Sequence, residues 1–332
     1  MKPLPVDTYV EGVRAGDRAV LARAITLVES ELPRHGGLAQ EVLGRLLPHT
    51  GGSRRVGISG VPGVGKSTFI DALGMHLVEQ GQRVAVLAID PSSTVTGGSI
   101  LGDKTRMARL SREATAYIRP SPSSGTLGGV ARKTRETLLL CEAAGFDVVL
   151  VETVGVGQSE TVVADLVDFY LVLMLAGAGD ELQGIKRGIL EVADLVAINK
   201  ADGDNAPRAL RAQAQYRAAL HLMRAGAEPE VLTCSALEGT GLAALWASVE
   251  THLAARTASG ELERRRRAQQ VGWMSAMIQD GLRAALRAHP EVAALLPGLE
   301  TEVREGGGTP TAAAERVLGS FLRALAPERS AL

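Results

Sequence analysis

Apolar positions change their spacing twice along this chain, and the changes divide it into three regions. Over residues 17–47, Leu21, Ile25, Val28 and Leu32 recur at helical spacing behind Asp17, a residue type suited to an N-cap. Val42, Leu43, Leu46 and Leu47 predict a second short helix before Pro48, and Gly51 and Gly52 break the pattern. From about residue 55 to 255 the texture becomes short β-branched runs, at 56–59, 84–89, 147–151, 169–175, 195–199 and 231–234, separated by longer helical stretches. Continuous apolar runs suit parallel strands buried on both faces. Their alternation with helices predicts a doubly wound, mostly parallel α/β sheet, with ligands beyond the carboxyl ends of its strands.

After residue 258 only helices are expected. Val271, Met274, Ile278, Leu282 and Leu286 form one helical stripe. Thr309 and Pro310 read as the N-cap and first residue of a last helix that carries Val317, Leu318, Phe321, Leu322 and Leu325. The arginines at 264–267 read as a solvated helix face. The expected organisation is a helical region at 1–50, an α/β domain at 51–257 and a helical region at 258–332.

Composition narrows the class. The 332 residues carry 36 Lys or Arg against 37 Asp or Glu. This near-neutral balance gives no support to a nucleic-acid binder held by bulk charge. No apolar run approaches the roughly 20 residues of a bilayer-spanning helix, so no membrane partner is expected. Cys141 and Cys234 lie far apart and read as buried structural thiols in a reducing compartment. The opening MKPLPVDTYVEG resembles neither a secretory signal nor a transit peptide, which makes the cytoplasm the expected location. Only six of the basic residues are lysines: Lys2, Lys66, Lys104, Lys133, Lys186 and Lys200. All but the first fall inside the α/β region, and Lys133 alone of those five has no evident task.

The first predicted strand runs directly into Gly60-Val61-Pro62-Gly63-Val64-Gly65-Lys66-Ser67, a complete G-x-x-x-x-G-K-S phosphate loop followed by Thr68. Its glycines let backbone N–H groups close around phosphate oxygens, and the following helix adds its positive dipole end. Lys66 would reach the β- and γ-phosphates, and the Ser67 hydroxyl would ligate Mg2+. The second signal, Asn199-Lys200-Ala201-Asp202, follows a late strand. A fixed Asp202 carboxylate accepts both guanine donors, N1 and N2, whereas adenine presents no such pair. Asn199 would tie the base to the loop, and the Lys200 stem would cover the ring. Ser235 and Ala236, after another strand, would offer backbone contacts to the guanine oxygen.

Magnesium needs carboxylates near the phosphates, and Asp90, Asp103 and Glu152 end or follow strands. Each also has a bland reading as a strand-end acid facing water, and Asp103 could simply pair with Lys104 or Arg106. Glu152-Thr153-Val154-Gly155 stands where GTPases carry D-x-x-G, with Gly155 placed for the γ-phosphate. The residue after that glycine is Val156 rather than the usual water-orienting Gln, so intrinsic hydrolysis should be slow. The expected fold class is therefore an α/β P-loop GTPase domain with N- and C-terminal helical extensions, binding GTP and GDP with Mg2+.

The strings GVPGVGKST from Gly60, AIDPSS from Ala88, GDKTRM from Gly102, RPSPSSGTLGG from Arg119, ETVGVGQSE from Glu152 and NKAD from Asn199 together resemble the methylmalonyl-CoA mutase-associated GTPases of the MeaB/ArgK type. The resemblance spans nearly the whole chain, helical flanks included. It implies a homodimeric GTPase that chaperones an adenosylcobalamin-dependent mutase, gating cofactor delivery and protecting or reactivating its client, with turnover stimulated by that partner. It also implies that residues 177–186 form an extra switch loop in which Gln183 and Lys186 couple the mutase to nucleotide chemistry, and that the C-terminal helices dimerise. Residue spacing alone allows a plain connection at 177–186 equally well. Other readings keep the fold and change the role: a GTPase metallochaperone, a nucleotide-dependent kinase of a transport system, or a binding module without useful turnover. The first would need clustered thiols or imidazoles, and none is apparent in the sequence.

Overall fold

The computed structural model describes residues 2–90, 107–122, 127–153, 163–177, 187–223 and 228–325. The chain divides into two compact units, Met1–Gln269 and Gln270–Leu332.

In the first unit three helices, α1 (Val6–Arg14), α2 (Arg18–Val28) and α3 (Pro33–Leu46), precede a seven-stranded sheet. Its strands are β1 (Arg54–Gly60), β2 (Val84–Asp90), β3 (Ala116–Pro122), β4 (Val148–Thr153), β5 (Phe169–Leu175), β6 (Leu195–Asn199) and β7 (Glu230–Thr233). Their order is β3-β2-β4-β1-β5-β6-β7, and every pairing is parallel. Helices α4 (Lys66–Glu79), α5 (Leu127–Ala143), α6 (Arg187–Val192), α7 (Ala206–Met223) and α8 (Leu242–Ala258) connect the strands and follow the last of them. On one sheet face Ile58, Val86, Leu150 and Leu171 pack in a single core with Phe69, Ile70 and Leu73 of α4 and Leu245, Trp246 and Val249 of α8. The alternating residues Leu87, Val149, Val151, Tyr170 and Val172 are buried as well, so the sheet is covered on both faces.

The apolar runs of the sequence all form strands, and one further strand escapes that pattern. β3 contains Pro120 and Pro122, residues that interrupt a strand signal; it lies at the sheet edge, where a missing N–H can be tolerated. α1 escapes it too, although Tyr9, Val10 and Val13 on one side of it are buried. Asp17 caps α2 as expected, accepting from the backbone N–H of Ala19 at 2.8 Å and Val20 at 3.1 Å.

The N-terminal helices are fastened to the sheet by charge. Glu29 pairs with Arg119 of β3, and Glu31 with Lys133 of α5 at 2.7 Å. Lys133 is 4% exposed, and its hydrogen bond holds the Glu31 carboxyl below the ordinary range. The lysine without an evident task therefore joins two layers.

At the amino edge of the sheet, one device recurs. Asp147, Asp168 and Asp194 each stand one residue before a strand and accept a backbone N–H near the start of a neighbouring one. Asp147 accepts from Arg83 at 2.7 Å, Asp168 from Arg55 at 3.0 Å and Asp194 from Tyr170 at 2.8 Å. Arg55 in turn makes a buried two-pronged pair with Glu142 of α5, both contacts at 2.8 Å. Helix α9 (Glu261–Ala288) begins beside this edge. There Arg266 donates to the Asp168 carboxylate at 2.6 and 2.8 Å. Burial lowers its pKa, but Asp168 more than compensates, so the guanidinium titrates above its usual value. The run at 264–267 is thus only partly a solvated face, because Arg266 is an anchor.

In the second unit, α10 (Pro290–Arg304) and α11 (Pro310–Leu325) pack Val292, Leu299 and Val317 together with Leu286, Leu295 and Phe321. Thr309 caps α11 through its hydroxyl, which accepts from the Ala312 N–H at 3.2 Å. Val271, Met274, Ile278 and Leu282 of α9 are all more than half exposed.

Removing one member of a buried ion pair strands the other. Glu142→Ala should therefore lower unfolding stability by about 3–5 kcal/mol, measured by guanidinium chloride titration. A loss below about 1 kcal/mol, as for an exposed pair, would contradict the structural role.

Candidate functional site

All strands point the same way, so the ends of β1, β2, β4, β6 and β7 share one edge, and the sequence-predicted residues gather there. The loop at 60–65 leaves β1 and enters α4. A Cβ at Gly60 would stand 2.5 Å from the carbonyl oxygen of Leu173, so only glycine fits. Gly65, the N-cap of α4, has φ +89°, which again favours glycine. Val64 turns into the core and fixes the loop from below. The first turn of α4 holds no acid, leaving its positive end unopposed by a carboxylate of its own. The Lys66 ammonium donates to Gly60 O at 2.8 Å and lies 3.4 Å from Val61 O. Thr68 is exposed on the same turn.

Ser67 and Glu152 meet at this edge. The Ser67 hydroxyl donates to Glu152 Oε1 at 3.1 Å, bringing an alcohol and a carboxylate within reach of one cation. Behind them Thr153 donates to Ser59 at 2.8 Å, a buried hydroxyl pair that ties the end of β4 to the end of β1. Asp90 closes β2. The Asp90 side chain, and Asp103, Gly155, Gln183 and Lys186, lie outside the described residues.

Asn199 is 1% exposed and braces the site. Its Nδ2 donates to Val64 O at 2.8 Å, while its Oδ1 accepts from Ala236 N at 3.2 Å and from the Cys234 thiol at 3.7 Å. It therefore binds the phosphate loop to the loop after β7. Lys200 has φ +60°, the only non-glycine among the described residues with positive φ. That turn sends its ammonium across to Gly63 O at 2.9 Å. Its own carbonyl accepts from Asn205 Nδ2 at 2.6 Å, which steadies the turn.

Asp202 is oriented by Ser235, whose hydroxyl donates to Oδ2 at 2.5 Å and accepts from Glu238 N at 3.1 Å. Ser235 thus enters through its side chain as well as its backbone, a role that the bare Ser-Ala pair does not reveal. The bracing by Asn199 is likewise not legible in the sequence, because its partners are backbone groups 135 and 37 positions away. Both cysteines are buried and free. Burial pushes the Cys141 thiol well above its ordinary value and the Cys234 thiol up to about 12, so neither offers a ready thiolate.

Comparison with known proteins agrees with this geometry. A family profile described as "Methylmalonyl Co-A mutase-associated GTPase MeaB" matches residues 21–291. A putative GTPase of Caulobacter vibrioides is 58% identical over 321 residues, covering 96% of this chain and 98% of that protein. The GTPase ArgK of Escherichia coli is 53% identical over 274 residues, covering 82% and 83%. A crystal structure described as an LAO/AO transport system kinase is 39% identical, with a TM-score of 0.77, and covers 97% of this chain and 99% of that one. With a profile spanning most of its length and relatives of this identity, the chain belongs to the MeaB family of methylmalonyl-CoA mutase-associated GTPases.

Proposed function

We propose that this protein binds and hydrolyses GTP as the nucleotide-driven chaperone of an adenosylcobalamin-dependent mutase, gating delivery of the cofactor and protecting or reactivating its client. The observation that carries the nucleotide part is the Asp202–Ser235 pair, held beside the Asn199 brace and joined through it to the phosphate loop. A hydroxyl donating to one carboxylate oxygen orients the group, and guanine N1 and N2 supply the donors that it accepts. The Ala236 N–H, which donates to Asn199 Oδ1 at 3.2 Å, is proposed to turn to the guanine oxygen when the base binds. The Lys200 stem reaches over this region toward Gly63 and would cover the ring.

At the phosphates, backbone N–H groups of 63–67 and the end of α4 supply positive potential before any substrate arrives. Lys66 would exchange Gly60 O and Val61 O for the β- and γ-oxygens. Ser67 and Glu152, with Asp90 and Asp103, form the set proposed to hold Mg2+, which when bound neutralises charge developing on the phosphates. With Val156 where a water-orienting Gln is usual, the chain alone should turn over slowly. Gln183 and Lys186 are proposed as the groups through which the mutase accelerates hydrolysis. Association with the mutase is supported by the description of the family; a soluble, cytoplasmic setting is proposed with it. Among the described residues, no helix is long and apolar enough to cross a membrane.

A homodimer is proposed from α9. Val271, Met274, Ile278 and Leu282 form a stripe that stays open to solvent, the kind of surface a second copy would cover.

Three outcomes are expected. Asp202→Asn should weaken GTP binding by about 3 kcal/mol, roughly a hundred-fold, and gain xanthosine triphosphate, whose 2-oxo group suits an amide donor; unchanged GTP affinity in a fluorescent-nucleotide titration would refute the base-reading role. With γ-labelled GTP, an adenosylcobalamin mutase should raise the release of free phosphate, and ATP should be a poor substitute. Label transferred to a protein acceptor would instead favour a kinase, and indifference to the mutase would refute the chaperone reading. In sedimentation, the wild type should run as a dimer and Met274→Glu with Ile278→Glu as a monomer; a wild-type monomer would refute the dimer.

A further inference from the structure

Between the magnesium-side acid Glu152 and β5, the chain returns to the amino edge of the sheet through residues 163–168, and the first turns of α9 are fastened to that return. Arg265 Nη2 donates to Ala164 O at 3.2 Å and Gln269 Nε2 to Val167 O at 3.0 Å. The Asp168 carboxylate takes both prongs of Arg266. The same guanidinium donates to Gly51 O at 2.6 Å and Ser53 O at 2.7 Å, just ahead of β1, the strand that ends in the phosphate loop. One side chain of α9 therefore holds the approaches to both β1 and β5, neighbouring strands in the centre of the sheet.

These contacts can carry a displacement. Val163, Leu166, Val167 and Asp168 are buried, and the return is stitched to β1 by Asp168 N to Arg55 O at 2.9 Å and Arg55 N to Asp168 Oδ2 at 3.0 Å. The buried Asp168 carboxylate and the part-buried carbonyls of Ala164 and Val167 keep their donors, because losing them has a desolvation penalty. A shift of β1 or of the β4-to-β5 connection must then move the root of α9, or break bonds that the interior disfavours breaking. Both ends of the arrangement matter: β1 leads to the phosphate loop, and the connection follows β4, the strand that carries Glu152.

We propose that Arg265, Arg266 and Gln269 are positioning residues for nucleotide turnover, coupling the root of α9 to whether a γ-phosphate occupies the site. They act through residues 164–168 and the approach to β1. The inference rests on the GTPase reading above.

The test uses the full-length protein with GDP and with a non-hydrolysable GTP analogue. Both must bind, as shown by a fluorescent-nucleotide titration; if neither does, the GTPase reading falls and takes this inference with it. Amide hydrogen exchange over residues 261–269 is then compared between the two states. A difference of about five-fold or more in protection is expected. Arg265→Ala with Gln269→Ala leaves the Asp168–Arg266 pair intact. It should keep the GDP affinity within about two-fold and lower kcat about five-fold at unchanged KM, and the difference between nucleotide states at α9 should disappear. If that variant fails to fold, Arg266→Lys, which keeps the charge and loses the two-pronged fit, is read by the same kcat-against-KM split. Equal exchange at 261–269 in the two states of the wild type, or wild-type kcat in the folded variant, would overturn the proposal while leaving GTP binding intact.

Discussion

A parallel sheet covered on both faces has only its two edges on which to place polar chemistry, and this constraint arranges the whole first unit. Every strand enters at one edge and leaves at the other. The interior of β1, β4, β5 and β6 is apolar, so hydroxyls, carboxylates and amides collect at the ends. The carboxyl edge holds the phosphate loop, the Ser67–Glu152 pair and the Asn199 brace. The amino edge has a different problem: backbone N–H groups there lack a ladder partner. Asp147, Asp168 and Asp194 meet it in the same way, each turning back from the residue before a strand to accept a neighbour's N–H.

Charge then builds outward from those aspartates. A carboxylate held by backbone donors at a buried edge invites a guanidinium, and Arg266 and Arg256 answer at Asp168 and Asp194. Arginine suits these places because its planar fork satisfies a carboxylate and nearby carbonyls at once, as Arg266 does with Gly51 and Ser53. The few lysines serve where a compact ammonium fits better. Lys66 and Lys200 both donate to carbonyls of the phosphate loop, at Gly60 and Gly63.

The readable part of the chain is whatever a local pattern encodes. Apolar runs bounded by breakers mark the central strands, and the phosphate loop and Asn199-Lys200-Ala201-Asp202 announce the site, because their chemistry resides in consecutive residues. β3 is hidden by its prolines, which an edge position tolerates and a pattern does not forgive. The hydroxyl of Ser235 on Asp202 and the tasks of Lys133 and Arg266 depend on partners 33, 102 and 98 positions away, beyond the reach of any spacing rule. The arginine run shows the limit most plainly: four identical letters, of which Arg266 anchors the helix on Asp168 while Arg267 pairs with Glu263 on the helix's own exposed surface.

Asn199 has a consequence for how the site can be altered. Because one amide serves both the phosphate loop and the loop after β7, a change at that residue disturbs both loops together. Asp202 and Ser235 stand beside the brace, joined to each other by a side-chain hydrogen bond. A substitution at either of those two positions therefore leaves the Asn199 tie to the phosphate loop in place. The architecture separates what can be revised from what must be kept.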